Sequence, residues 1–233
     1  MNHQQGFDPR QQAQTARMPR GVGLDLSAST VEYLQQVYAY LGASMLLAVA
    51  AGYVGMDSPL AMMARQSLLI SLVVMIGTMM LAFWKPGAPT LFLATGSWGF
   101  LAGPIIGMYV NAGAAGIVGQ AAFLTGAIFV GMTAYAMTTK KDFSFMGGML
   151  FAGLIVIIVG GLVNAFFLKS PAMTFAISAG GALLMSGFLL YETQQLKQAP
   201  WAMHPAAAAV SLFTTIYNLF MMLLSLLGMG RDE

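Results

Sequence analysis

The sequence predicts an all-α membrane protein, a bundle of seven transmembrane helices. Of its 233 residues 58% are hydrophobic and only 8% charged, with a mean hydropathy of +0.74, whereas a soluble domain is about a quarter charged. The charges that do occur are gathered in short clusters, and the stretches between them are long enough to cross a bilayer. Those stretches lack the alternation of apolar and polar residues that a membrane β-barrel requires, so each satisfies its own backbone as a helix. The 15 Phe, 8 Tyr, 3 Trp and 20 Met residues supply bulky, varied apolar side chains, the opposite of a disordered composition.

A spanning helix needs roughly 20 mostly apolar residues, because each rises about 1.5 Å through a hydrocarbon core about 30 Å thick. The 24 uncharged residues between Glu32 and Asp57 predict a first span over Tyr33 to Val54. The 19 residues between Arg65 and Lys85 predict a second. From Pro86 to Thr139 no charge occurs in 54 residues, too many for one crossing, and the stretch Asn111-Ala-Gly-Ala-Ala-Gly116 divides them into spans three and four. Phe143 to Leu168 supplies 26 residues for the fifth span, and Ser170 to Tyr191 supplies 22 for the sixth. After Lys197 an uncharged stretch of 33 residues reaches Gly230, and Pro205 marks the start of a seventh span that ends near Leu227. Connections such as Lys85 to Pro89 and Lys169 to Pro171 are short. Sequential helices are therefore expected to be antiparallel neighbours in a single domain over residues 30–233.

Cations near span ends are retained on the cytoplasmic side. Alternate loops place seven on one face (Arg10, Arg17, Arg20, Lys85, Lys140, Lys141 and Lys197) and three on the other (Arg65, Lys169 and Arg231). The N-terminus is therefore expected in the cytoplasm and the C-terminus outside. Residues 1–29 hold five Gln and three Arg and no long apolar run, which predicts a disordered cytoplasmic tail rather than a cleavable signal peptide.

The same composition removes several function classes. With no Cys there is no disulfide framework, no thiolate metal site and no cysteine nucleophile. A net charge of +2 without a dense basic run makes nucleic acid an unsuitable partner. His3 and His204 have no second His at metal-ligand spacing, and no carboxylates are paired, so neither a zinc site nor a two-carboxylate hydrolase is supported. The Gly-rich stretches lack the G-x-x-x-x-G-K-[ST] phosphate loop. The chain is read as a non-enzyme without cofactor or metal, surrounded by membrane lipid.

Within the spans, Gly99, Gly103 and Gly107 repeat every four residues and leave one face of the third span without side chains, so that another helix can approach closely. Pro104 removes a backbone donor beside Gly103 and is expected to kink that span, as a static feature or as a hinge. An ionisable group at membrane depth is a functional candidate by default. Glu192, in Tyr191-Glu192-Thr193, is the carboxylate at the cytoplasmic end of span six. It is either a proton-sensitive group in a crevice between helices or a solvated helix-end residue. Asp142 is read as a loop anchor, Arg65 as an interfacial cation, and Asn164, Tyr217 and Asn218 as hydrogen-bonding glue between helices.

Three stretches carry a family resemblance: Tyr135 to Leu150 with its Thr-Thr-Lys-Lys-Asp turn and Gly-Gly pair, Leu190 to Thr193, and Ser211 to Gly228. They resemble the Bax inhibitor-1 family, in its bacterial YccA-type branch, over roughly residue 30 to the end. This resemblance implies a seven-helix protein of the bacterial inner membrane with a cytoplasmic N-terminus. It implies association with an FtsH-type ATP-dependent membrane protease, which such proteins bind, restrain and are degraded by. The alternative it implies is a pH-sensitive calcium leak, with calcium or protons as ligands, that depends on an acidic pair in spans six and seven. The first member of that pair matches Glu192, but the second falls on Thr215, so the mutual repulsion of two carboxylates is absent here.

Overall fold

The computed structural model describes residues 28–230, without the side chain of Leu68. The tail expected over residues 1–29 lies outside the described residues up to position 27, and its last two positions are helical, because the first helix begins at Ala28. Arg231 also lies outside them. Eight α-helices follow in order: α1 (Ala28–Gly55), α2 (Pro59–Gln66), α3 (Leu68–Trp84), α4 (Ala88–Asn111), α5 (Ala115–Thr138), α6 (Met146–Val163, continued by a π-helical turn over Asn164–Leu168), α7 (Pro171–Gln198) and α8 (Pro205–Met229). Proline at the first turn of α2, α4, α7 and α8 fixes their starts, where its missing N–H costs no hydrogen bond.

Six of these helices are long and apolar enough to cross a membrane, and a seventh crossing results if α2 and α3 count as one span bent by 103°. α3 fills the second span predicted between Arg65 and Lys85 except for Gln66 and Ser67, and the corner sits at its start, with the short α2 before it. Ser58 caps α2, accepting from the Ala61 N–H at 3.5 Å, and Pro59 follows it, so a short helix starts before Arg65. Ser67 then leaves helical geometry, ends α2 and caps α3 by accepting from the Ile70 N–H at 3.4 Å. The Ser71 hydroxyl reaches back to the Ala64 carbonyl at 2.8 Å and clasps the corner. Arg65 stands in the last turn of α2, where a cation meets the partial negative charge of the helix end.

The centre of the bundle is α8. Its first six residues, Pro205 to Val210, are all buried, and four of them are the alanines Ala206 to Ala209, whose small side chains let neighbouring backbones close in. Around α8 stand α1, α3, α4, α5 and α7, whereas α6 packs on α7 at the periphery. Large apolar residues such as Leu46, Leu69, Phe123 and Phe167 face outward. In water such a surface would aggregate; in a bilayer it is the lipid interface.

The most extensive helix pair is α1 with α4. A Cβ placed on Gly103 falls 2.5 Å from the Gly52 carbonyl oxygen and 2.7 Å from Gly55 Cα; one on Gly99 runs into the Ala48 backbone; one on Gly107 lies 3.2 Å from the Met56 carbonyl oxygen. The face without side chains lies against the backbone of α1. α4 continues through Pro104 without a break. The Phe100 carbonyl, whose helical donor Pro104 lacks, is turned against Gly55.

Candidate functional site

The charged side chains that bond across helices, Glu192 and Lys197, lie toward the end where α7 stops and α8 begins. Ser211 and Thr215 stand four residues apart on α8, so their hydroxyls share one face. Both point at Glu192 on α7: the Ser211 hydroxyl donates to Oε1 at 2.5 Å and the Thr215 hydroxyl to Oε2 at 2.9 Å. Glu192 is part-buried and Thr215 is only 5% exposed. The carboxylate thus bridges two helices through two neutral donors, an arrangement that favours the charged form by hydrogen bonding while burial opposes it. Glu192 and Thr215, paired above only by resemblance, are in direct contact. Ser211 completes the group, although nothing in its local sequence pattern distinguishes it from a solvated helix serine.

Two further side chains of α7 fasten its end to the neighbouring elements. Gln194 is buried; its amide oxygen accepts from the Phe143 N–H at 2.8 Å and its amide nitrogen donates to the Lys141 carbonyl. The Lys197 ammonium donates to the carbonyls of Met137 (2.8 Å), Thr139 (3.2 Å) and Ala136 (3.4 Å). These are the orphan acceptors at the C-terminus of α5, where the helix dipole favours a cation. The sequence shows Lys197 only as a topology cation, and Gln194 only as one of two adjacent glutamines. Their partners lie more than 50 residues away, beyond the reach of any local pattern.

The turn that they hold carries Lys140, Lys141 and Asp142, all exposed. Asp142 accepts from the hydroxyl of Ser144 and from its N–H, the latter at 2.8 Å, and these bonds hold its carboxyl below the ordinary range. It anchors the turn as expected of a loop residue, through a local hydrogen bond rather than through the neighbouring lysines. At the opposite end of α7, Asn164 is buried and joins α6 to α7, accepting from the Ser170 N–H at 2.9 Å and donating to the Thr174 hydroxyl at 2.8 Å. Tyr217 packs edge-on against Trp98 with ring centroids 5.2 Å apart. Gly99, Gly103, Pro104 and Gly107 lie in the α1–α4 seam, apart from Glu192. Among the described residues no three His, Asp or Glu gather as metal ligands.

The profile of the family described as "Inhibitor of apoptosis-promoting Bax1" matches residues 30–232. The chain belongs to the Bax inhibitor-1 family. Among its relatives in this family, the Escherichia coli (strain K12) protein named "Modulator of FtsH protease YccA" is 37% identical over 209 residues, which cover 88% of this chain and 93% of the relative. An uncharacterized Helicobacter pylori (strain J99) protein is 32% identical over 206 residues, 87% of this chain and 89% of its own. An uncharacterized membrane protein of Vibrio cholerae is 41% identical over 143 residues, 61% of this chain and 63% of its own. The YccA relative of E. coli O6:H1, also 37% identical, is named an inner membrane protein. With its spanning helices, this Bax inhibitor-1 family member is a multi-pass membrane protein.

Proposed function

We propose that this protein is a non-catalytic inner-membrane regulator that binds and modulates an FtsH-type membrane protease and is itself a substrate of that protease. The observation that carries this reading is the 37% identity, over nearly the full length of both chains, to a protein named for that modulation. In this reading the bundle over residues 30–233 is one domain, with the N-terminus in the cytoplasm and the C-terminus outside. The seven-to-three distribution of cations supports that orientation. The exposed Lys140-Lys141-Asp142 turn, fixed by Gln194 and Lys197, then presents an ordered basic surface on the protease's side of the membrane. Residues 1–27, with five Gln, three Arg and no long apolar run, serve as the handle for degradation, since a chain end can be threaded before any helix is extracted. Deleting residues 1–27 is expected to leave the bundle intact and lengthen the lifetime of the protein in cells that contain the protease. Equal lifetimes for the truncated and full-length chains, measured after synthesis is stopped, contradict the handle.

A second reading, the pH-sensitive calcium leak, is favoured by the contact of Glu192 with Ser211 and Thr215 across α7 and α8. Protonation removes the charge that the two hydroxyls stabilise and loosens the tie. If the protein conducts calcium in reconstituted vesicles, Glu192→Gln is expected to abolish the pH dependence of the flux. Thr215→Asp is expected to steepen it by restoring two interacting carboxylates. Flux that stays equally pH-sensitive in Glu192→Gln removes Glu192 from the mechanism.

A further inference from the structure

Between α1 and α5 the bundle is open to the side. The two helices meet at Tyr38 and Phe129, whose rings lie 6.4 Å apart. Beyond that contact a crevice of 420 Å³ separates residues 45–56 of α1 from residues 118–126 of α5, with α4 and α8 behind it. No charged side chain lines it. The Thr125 hydroxyl on its wall is already satisfied by the Ala121 carbonyl at 2.7 Å. A space with so few polar partners does not hold water well. Val49 and Tyr53 at its rim are 73% and 76% exposed, so the crevice is continuous with the lipid-facing surface of the bundle.

We propose that this crevice is an acyl-chain site, filled by one hydrocarbon tail of a phospholipid from the leaflet in which α1 ends. Its length and its opening toward the lipid-facing surface select this occupant. The α1 wall from Met45 to Met56 is about 16 Å long at 1.5 Å per residue, which matches one leaflet, half of a core of about 30 Å. Its rim, at Val49 and Tyr53, opens on the lipid-facing surface rather than on the aqueous ends of the bundle, so the molecules that reach it are the surrounding lipids. The α5 wall is shaped for an occupant rather than for a helix contact. A Cβ added at Gly119 or Gly126 meets nothing within 4 Å, unlike the glycines of the α1–α4 seam. These two glycines deepen the crevice instead of closing a seam. A chain seated there joins α1 to α5 where the helices themselves have parted.

The site is tested with the full-length protein in vesicles of phosphatidylglycerol and phosphatidylcholine that contain a phospholipid with a photoactivatable diazirine in its acyl chain. Cross-linked residues are mapped by mass spectrometry. Tyr217 and Phe220, on the back wall, are expected to be labelled as heavily as the outward-facing Leu183 of α7. In Gly119→Leu/Gly126→Leu, back-wall labelling is expected to fall about tenfold, the loss from excluding about two methylenes of the chain, with Leu183 unchanged. Absence of label from Tyr217 and Phe220 in the wild-type protein overturns the proposal. So does back-wall labelling that the filled variant leaves untouched, and so do cross-links from the crevice to a second copy in place of lipid.

Discussion

Gly103→Leu is expected to abolish recovery of a folded, monodisperse protein. The seam between α1 and α4 is backbone against backbone. A Cβ at position 103 already falls 2.5 Å from the Gly52 carbonyl oxygen and the Gly55 carbonyl carbon, and no flexible side chain stands there to give way. Overpacking a core typically costs about 1–3 kcal/mol when neighbours can shift; here two helices must separate, so the cost exceeds that range. Pro104 adds to it, because the Phe100 carbonyl faces Gly55 and loses that contact when the seam opens. The control is Gly77→Leu on α3, where an added Cβ meets nothing within 4 Å. Size-exclusion chromatography and thermal unfolding in detergent are expected to show Gly77→Leu close to wild type and Gly103→Leu aggregated or unfolded at room temperature. Equal behaviour of the two variants contradicts the close approach.

The second large effect is expected at the end of α7. Lys197→Met keeps the apolar stem and removes the donor to three carbonyls of α5. Gln194→Leu leaves the Phe143 N–H and Lys141 carbonyl without their partner. Hydrogen bonds to a charged group contribute about 1.5–3 kcal/mol, and water replaces part of what is lost because the turn is exposed and the bonds are only part-buried. The double variant should therefore shift the local opening of the turn by about 1.5–3 kcal/mol, roughly ten- to a hundredfold. Trypsin reads that opening at Lys140 and Lys141, since cleavage follows the population of the open form when reclosing is fast. Cleavage there is expected to accelerate by that factor in vesicles with this face outward, with the transmembrane core still protected. An unchanged cleavage rate means that the turn is held by something other than Gln194 and Lys197.

The course of the chain across the membrane is legible in the sequence because hydrocarbon tolerates so few charges. Glu32, Asp57, Lys85, Lys140, Asp142, Lys169 and Lys197 all fall at or near helix ends, and the break at residues 111–116 separates α4 from α5. The corner at Ser67 is not visible to a count of charges. Its signal is local, a Ser-Pro start at residues 58 and 59 and a serine able to cap, and the continuous apolar run after it hides the turn. The role of the glycines at 99, 103 and 107 follows from their spacing, but spacing does not name the helix opposite, which is α1 rather than a sequence neighbour. The Glu192 site was half legible. A carboxylate at a span end marks itself, whereas Ser211, Gln194 and Lys197 acquire their roles only through partners brought together by the fold.

Affinity capture from gently solubilised inner membranes tests the account's central claim most directly. The tagged full-length protein is recovered at native abundance, and the protease is quantified in the eluate against an unrelated multi-pass membrane protein carrying the same tag. The account predicts that the FtsH-type protease is enriched with this protein, and that the enrichment survives Glu192→Gln, which disturbs the α7–α8 tie without altering the basic turn. Quantitative recovery of the protein with the protease no higher than in the control, in membranes where the protease is abundant, contradicts the proposed function.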